Sequence, residues 1–465
     1  MVSKKILGVA IAAAFSSQAF ATIDLGAGTG AVTYAKETIA ATDISAVAAT
    51  SGLLNVTAAA TQLNLQVPIG FGVTSTTHAF VRFDLTNAKF KTAVAAADVT
   101  AISGTITNVV VAQGGAVGDS FVILDITSGG LAQTDTIQLA LAGLAVSTSA
   151  PVSVTFNHYS TSPAAVANNG GALSTKSYAS IVTVAEDLKT TVTASDQVAD
   201  VSAATPFTKF VSSGTATAPL GTVQYDVAVA GALNPAGTVV TAANATTGLT
   251  ALFDPTASSL AITGDLSFTA STTAALTAAN TKFGGTNSDT AATNVASGKL
   301  SVITPVSAFA TPYSITVTAT GPINAGAYSL TFNPAKVSGR QYAPTAKNAA
   351  LGSITRSGTT VQVPYITTFS DYSQRLVLVN RSSLNAPYTI TFTPEAGVTA
   401  AAGTAATGTL AAGKTLILKA TDIVTLTGAT RTAATVVVTA PNTTIDAATT
   451  SVNLSDKSTD TVKLN

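Results

Sequence analysis

Two histidines, no cysteine, no tryptophan and 22 acidic residues in a chain of 465 set the limits of the chemistry this protein can do. The histidines, His78 and His158, lie in stretches that read as a strand or a strand end. Neither has a serine in a Gly-x-Ser-x-Gly turn near it, and no His-x-x-x-His spacing offers a zinc ligand pair. Without cysteine there is no thiol nucleophile, no zinc–thiolate site and no disulfide. A glycosidase pair of carboxylates can be assembled in space from distant positions, but sugar clefts usually display tryptophan. The expectation is that the chain is not an enzyme and takes no small-molecule substrate.

The acidic residues cluster in two places. Glu186, Asp187, Asp196 and Asp200 fall within one short polar stretch, and Asp119, Asp125 and Asp135 within another. Calcium takes 6 to 8 oxygen ligands, and the first group in particular could supply several of them. The other reading is that these are separately solvated carboxylates, since no EF-hand loop and no Gly-Gly-x-Gly-x-Asp repeat accompanies them. Gly26-Ala-Gly28-Thr-Gly30 has the look of a dinucleotide loop. Its third glycine comes one position too early and no amphipathic helix follows, so it reads as a flexible lead into the first domain.

The elements that must position these residues begin behind an export signal. Lys4 and Lys5 precede an apolar stretch from Ile6 to Phe15, and Ala19-Phe20-Ala21 is a small-x-small cleavage site. Residues 1–21 therefore read as a signal peptide, with the mature chain starting at Thr22. Removal of the signal leaves 20 basic against 22 acidic residues, a balance that offers no footprint for nucleic acid. Charged residues make up 9% of the sequence, against about 25% in ordinary soluble domains. A surface this weakly charged is easily desolvated, and little repulsion keeps copies apart.

Threonine and serine alternate with valine, isoleucine, leucine and phenylalanine at period two throughout, as strands with one buried face require. In Phe80 to Leu85 this places Arg82 and Asp84 together on one face. Turn pairs such as Gly114-Gly115, Gly129-Gly130 and Gly284-Gly285 interrupt the strands at short intervals. The predicted fold is all-β, as tandem antiparallel β-sandwich (immunoglobulin-like) domains. After the signal peptide the expected divisions are an N-terminal β-rich domain over 22–200, a central β-sandwich over 201–350 and a C-terminal immunoglobulin-like β-sandwich over 351–465.

The last segment is the clearest. Strands are predicted at 360–367, 374–380, 388–393, 407–410, 415–419, 435–439, 451–454 and 461–464, with a hairpin tip at 400–406. Four strings share a pattern: Val152-Ser-Val-Thr-Phe156-Asn, Tyr313-Ser-Ile-Thr-Val317-Thr, Tyr328-Ser-Leu-Thr-Phe332-Asn and Tyr388-Thr-Ile-Thr-Phe392-Thr. They mark either a repeated module or the coincidences that a threonine-rich β protein produces.

Together the signal, the alanine- and threonine-rich body of low charge, the absent cysteine and the strand patterning to the end of the chain resemble the S-layer proteins of Gram-negative bacteria. The resemblance lies in composition and organisation and carries over no individual residue. It implies export through the inner membrane to the cell surface and assembly of the protein with itself into a two-dimensional lattice on the outer membrane. An outer-membrane surface component such as lipopolysaccharide is a candidate partner, and calcium, on the strength of the acidic clusters above, a candidate ion. A secreted adhesin or extracellular filament subunit fits the same domains. An outer-membrane β-barrel pore fits the alternation but not the missing tryptophan of an aromatic girdle.

Overall fold

The computed structural model describes residues 22–464 apart from 58–62, 202–204, 243–247, 270–280, 284–291, 296–299 and 304–311. The predicted signal peptide and Gly284-Gly285 lie outside the described residues. The fold is all-β, arranged as tandem sandwiches of small sheets. No described helix is long and apolar enough to cross a membrane.

The first sandwich packs a six-stranded sheet on smaller ones. The large sheet runs, in spatial order, Val32–Ala35, Ser174–Ala185, Val152–Tyr159, His78–Thr86, Phe121–Gly130 and Thr105–Gly114. Facing it is a four-stranded sheet of Ile23–Asp24, Leu65–Pro68, Thr136–Leu139 and Val99–Ala101, and a three-stranded one of Leu54–Thr57, Gly143–Val146 and Ala88–Phe90. Period-two alternation explains the packing. Along His78–Thr86, Ala79, Val81, Phe83 and Leu85 are buried while the residues between them are partly or fully exposed. Phe83 and Phe156 are register partners, and their rings stand 5.2 Å apart in the core. Each buried side chain of this size contributes about 1.5–3 kcal/mol.

The second sandwich repeats that threading. Its six-stranded sheet runs Gln197–Ala199, Lys347–Arg356, Gly326–Ala335, Asp254–Thr263, Leu300–Ile303 and Ala292–Val295. Its four-stranded sheet runs Leu188–Ala194, Thr217–Val227, Tyr313–Thr318 and Thr281–Phe283. In both large sheets the first strand of the chain lies at one edge, parallel to the last strand, and every other neighbouring pair is antiparallel. A third parallel pair joins Ile23–Asp24 to Leu65–Pro68. The sheets are thus antiparallel as predicted, except for these parallel pairs at edge strands. Two of the four shared strings, those at 152–157 and 328–333, occupy the same place in the two large sheets. The string at 313–318 lies in the small sheet of the second sandwich and the one at 388–393 in the third sandwich.

The third sandwich pairs the sheet Thr359–Thr367, Arg431–Val438, Ala386–Thr393, Thr407–Leu410 with the sheet Thr415–Lys419, Tyr372–Asn380, Ile445–Asn453, Thr459–Leu464. The eight predicted strands are all present, several of them longer. The predicted hairpin tip at 400–406 is instead partly strand, since Thr399–Ala402 pairs with Val424–Thr427 in a small separate sheet.

Three apolar cores match these sandwiches: residues from 23 to 182 with Leu233, residues from 188 to 354 with Ala35, and residues from 361 to 464. The cuts placed at residues 200 and 350 therefore fall inside the second sandwich. The chain crosses into it between Ala185 and Leu188 and leaves it between Arg356 and Thr359. In the polar stretch before the first cut, the carboxylates of Glu186, Asp187 and Asp196 accept from backbone N–H groups within the fold.

Candidate functional site

The residues that could do chemistry are placed apart and given structural partners. His78, the first residue of its strand, is exposed, with Nδ1 2.7 Å from Asp125 Oδ1, and lies beside Phe80. His158 is buried near the end of Val152–Tyr159 and its Nδ1 is 3.3 Å from the Ile69 carbonyl oxygen. Burial holds its pKa below the ordinary imidazole value. Asp119 and Asp135 each accept a hydrogen bond from the backbone N–H three residues before them, at 3.0 and 2.7 Å.

The candidate calcium ligands are similarly dispersed. Glu186 accepts from the Thr345 N–H and hydroxyl at 2.7 and 2.6 Å, and Asp196 from the Ser353 N–H and hydroxyl at 2.7 and 2.8 Å. The Ser353 bonds keep the Asp196 carboxyl below its usual range. Asp187 is fully buried and its Oδ1 accepts from the Val229 N–H at 2.8 Å. At Asp200 the backbone carbonyl oxygen accepts from the Phe207 N–H and its own N–H donates to the Lys209 carbonyl. Among the described residues no three acidic or histidine side chains converge on one point. Gly26 to Gly30 forms an ordered turn in which Asp24 Oδ1 accepts from the N–H groups of Gly26 and Ala27, rather than a flexible lead.

One polar constellation on the first sandwich follows directly from period two. Arg82 and Asp84, on the outer face of His78–Thr86, form a two-pronged pair with N–O distances of 2.7 to 2.9 Å. The guanidinium also donates to the Ala165 carbonyl at 3.1 Å and lies over the Phe121 ring, 4.4 Å from its centre. It thereby fastens the short helix Ser162–Ala167, capped by Thr161, over the outer face of the sheet.

The sheet edges are the surfaces most open to a partner. A strand edge presents a row of unpaired N–H and C=O groups, and proteins usually blunt it with charge, proline or a covering segment. One edge of each large sheet is covered. Beside Val32–Ala35, Leu233 donates to the Thr33 carbonyl and accepts from the Ala35 N–H, both at 2.8 Å. Beside Gln197–Ala199, the Val211 N–H donates to the Val198 carbonyl at 2.8 Å.

The opposite edges, Thr105–Gly114 and Ala292–Val295, have no strand paired outside them among the described residues. Thr105–Gly114 spans 10 residues with no charge and no proline, and Val110 is 49% exposed. Three register irregularities against Phe121–Gly130 bend it. Beside it opens a groove of about 570 Å³ that reaches Val99–Ala101, the edge strand of the facing sheet; Ala97, Thr100, Thr107 and Val109 are among its lining. Among the described residues, the six-stranded sheet and the four-stranded sheet facing it thus both end, unsealed and uncharged, on the same side. Sequence reasoning did not single out this strand, whose burial does not follow period two, and its edge position depends on pairings distant in the chain.

No family model matches this chain, and no curated protein matches it. Among solved structures it is similar to Escherichia coli alpha-2-macroglobulin activated by porcine elastase, at 11% identity and a TM-score of 0.17. That likeness covers 85% of this chain and 29% of the other, so the chain spans under a third of that protein's length.

Proposed function

We propose that this protein is a structural subunit of a self-assembling cell-surface layer, an S-layer on the outer membrane, and that its main partner is further copies of itself. The observation that carries this reading is the uncharged, unsealed edge at Thr105–Gly114 on a body with only 9% charged residues. Such an edge can add a strand from another copy, gaining backbone hydrogen bonds at little desolvation cost. A closed two-dimensional lattice needs contacts in two directions, and the tandem sandwiches offer several further edges for them. Export by the signal at residues 1–21, attachment to a surface component such as lipopolysaccharide, and absence of catalysis belong to the same reading. So does calcium as a possible assembly ion.

The test is electron microscopy of the protein after dialysis from denaturant, with calcium and with a chelator. Two-dimensional crystals are the expected result, and their dependence on the ion decides the calcium question. Persistent monomers in both conditions would remove the reading; fibres would replace the lattice by a filament or adhesin subunit.

A further inference from the structure

The two outer faces of the third sandwich are unlike each other. On one side, the strands Thr359–Thr367, Arg431–Val438, Ala386–Thr393 and Thr407–Leu410 carry a single charged residue, Arg431, which pairs with Glu395 at 3.2 Å. Register rows across that face read Thr360–Val437–Thr389–Thr407 and Gln362–Thr435–Thr391, without charge. On the other side, Leu376, Leu378, Leu418, Ala447 and Leu464 turn into the core, so the residues alternating with them face outwards. One outward row there reads Lys419–Arg375–Thr450–Thr461 and the next Ile417–Val377–Ala448–Lys463. Three cations thus flank a small apolar centre, in which Ile417 is 56% exposed.

This cluster stands in a chain of 22 basic and 22 acidic residues, yet it has no counter-charge beside it. Among the described residues the side chains of Arg375, Lys419 and Lys463 make no ion pair and no hydrogen bond. The acid on the same face, Asp446, is taken by Arg381. Asp460 has Ser451 as its register partner and so sits on the alternate face, while Asp422 belongs to the short helix Ala420–Ile423 after Lys419. Arg375 and Lys419 are direct register partners, and like charges placed opposite each other cost stability. Nothing among the described residues offsets that cost.

We propose that this face docks on the anionic phosphate headgroups of a lipid layer, with Arg375, Lys419 and Lys463 on the phosphates and Ile417 against the apolar layer below them. The proposal rests on the surface-layer reading for where the protein meets such a layer, and it names the side turned towards it. Charge complementarity selects the partner. Spacing selects a layer over a soluble anion: Lys419 and Lys463 lie on the two edge strands of a four-stranded sheet, three strand spacings or about 14 Å apart. That is too far to close on one phosphate and suits several neighbouring headgroups. An exposed isoleucine between the cations likewise adds nothing for a soluble anion. The attraction of one copy is modest, roughly fivefold in partition for each cation near an anionic surface. A lattice repeats the face in every copy, so the weak contacts act together.

Cosedimentation at low salt tests this, with the protein dilute and unassembled, on vesicles of phosphatidylcholine alone and of phosphatidylcholine mixed with phosphatidylglycerol. Binding should occur only with the mixed vesicles and weaken as salt is raised. The triple variant Arg375→Gln, Lys419→Gln, Lys463→Gln should lose about a hundredfold in binding and melt no lower than wild type, since a like-charge pair is removed. Ile417→Ser should weaken binding severalfold, and glycerol phosphate should not compete. Equal binding to both vesicles, an unchanged triple variant or full competition by glycerol phosphate would overturn the proposal, the last leaving a site for soluble phosphate. Binding to polyglutamate in place of vesicles would also overturn it, assigning the face to an acidic protein. If the triple variant does not fold, the salt dependence and the competition measured on wild type decide. Two-dimensional crystals that ignore the mixed vesicles would remove the docking and leave the assembly reading standing; vesicle binding without crystals would do the reverse.

Discussion

The first and second sandwiches thread ten strands through the same places in two sheets, yet they fill their cores differently. In the first, Phe156 meets its register partner Phe83. In the second, the equivalent Phe332 has Leu260 as its register partner and instead packs on Tyr225 at 4.6 Å and Phe253 at 5.4 Å. The first sandwich also carries an additional three-stranded sheet. What the two share is the ladder and one aromatic position in a central strand; what varies is the partner that fills the space against it. The fold is specified by alternation and strand order, and cores of different shape satisfy it so long as volume is conserved.

The third sandwich, which does not share this ladder, supplies the largest effect. Its core is separate and Ile390 is 3% exposed within it, on a strand paired on both sides. Ile390→Asp buries an unpaired charge at a cost of several kcal/mol, comparable to a domain's whole stability of about 5–15 kcal/mol. Limited proteolysis should then degrade residues beyond about 357 and leave the first two sandwiches intact. Loss of all three together would mean that the cores are not independent.

A direct comparison of the equivalent aromatics comes next in size. Phe156→Ala and Phe332→Ala should each cost about 3–5 kcal/mol, because each empties a fully buried position. The cost should be greater for Phe332, which loses two ring neighbours where Phe156 loses one. Denaturant unfolding read separately for each sandwich checks the order. A costless change at either site would show that shared strand position does not mean shared importance.

Much of the fold was legible because period-two burial is a local property. The strands at 407–410 and 415–419 have the predicted bounds, and Arg82 and Asp84 share a face as the alternation requires. What escaped was set by long-range pairing. The parallel partnership of Val32–Ala35 with Ser174–Ala185 joins segments about 150 residues apart, and nothing in either string announces it. The acidic stretch misled for a related reason. Polarity alone does not distinguish separately solvated carboxylates from ones recruited to satisfy N–H groups, and Asp187 is fully buried. Glu37, whose carboxylate accepts from the Asp187 N–H, drew no attention because a lone glutamate among apolar residues has no spacing to recognise.

The smallest expected effect on stability tests the difference between sealed and open edges. Val110 projects from the open strand of the first sandwich at 49% exposure, where a lysine head can remain in water. Val110→Lys should therefore change folding stability by no more than about 0.5 kcal/mol, as surface substitutions generally do. It adds the charge that edge strands normally carry against pairing, so a contact made through Thr105–Gly114 should be lost while the monomer melts as before. A lysine in place of Thr33, on the edge already bonded to Leu233, is the matched control and should disturb the joint between sandwiches instead. Electron microscopy and melting curves for the two variants separate the cases. Unimpaired assembly of Val110→Lys would exonerate the open edge of the first sandwich and leave the lattice contacts to other surfaces.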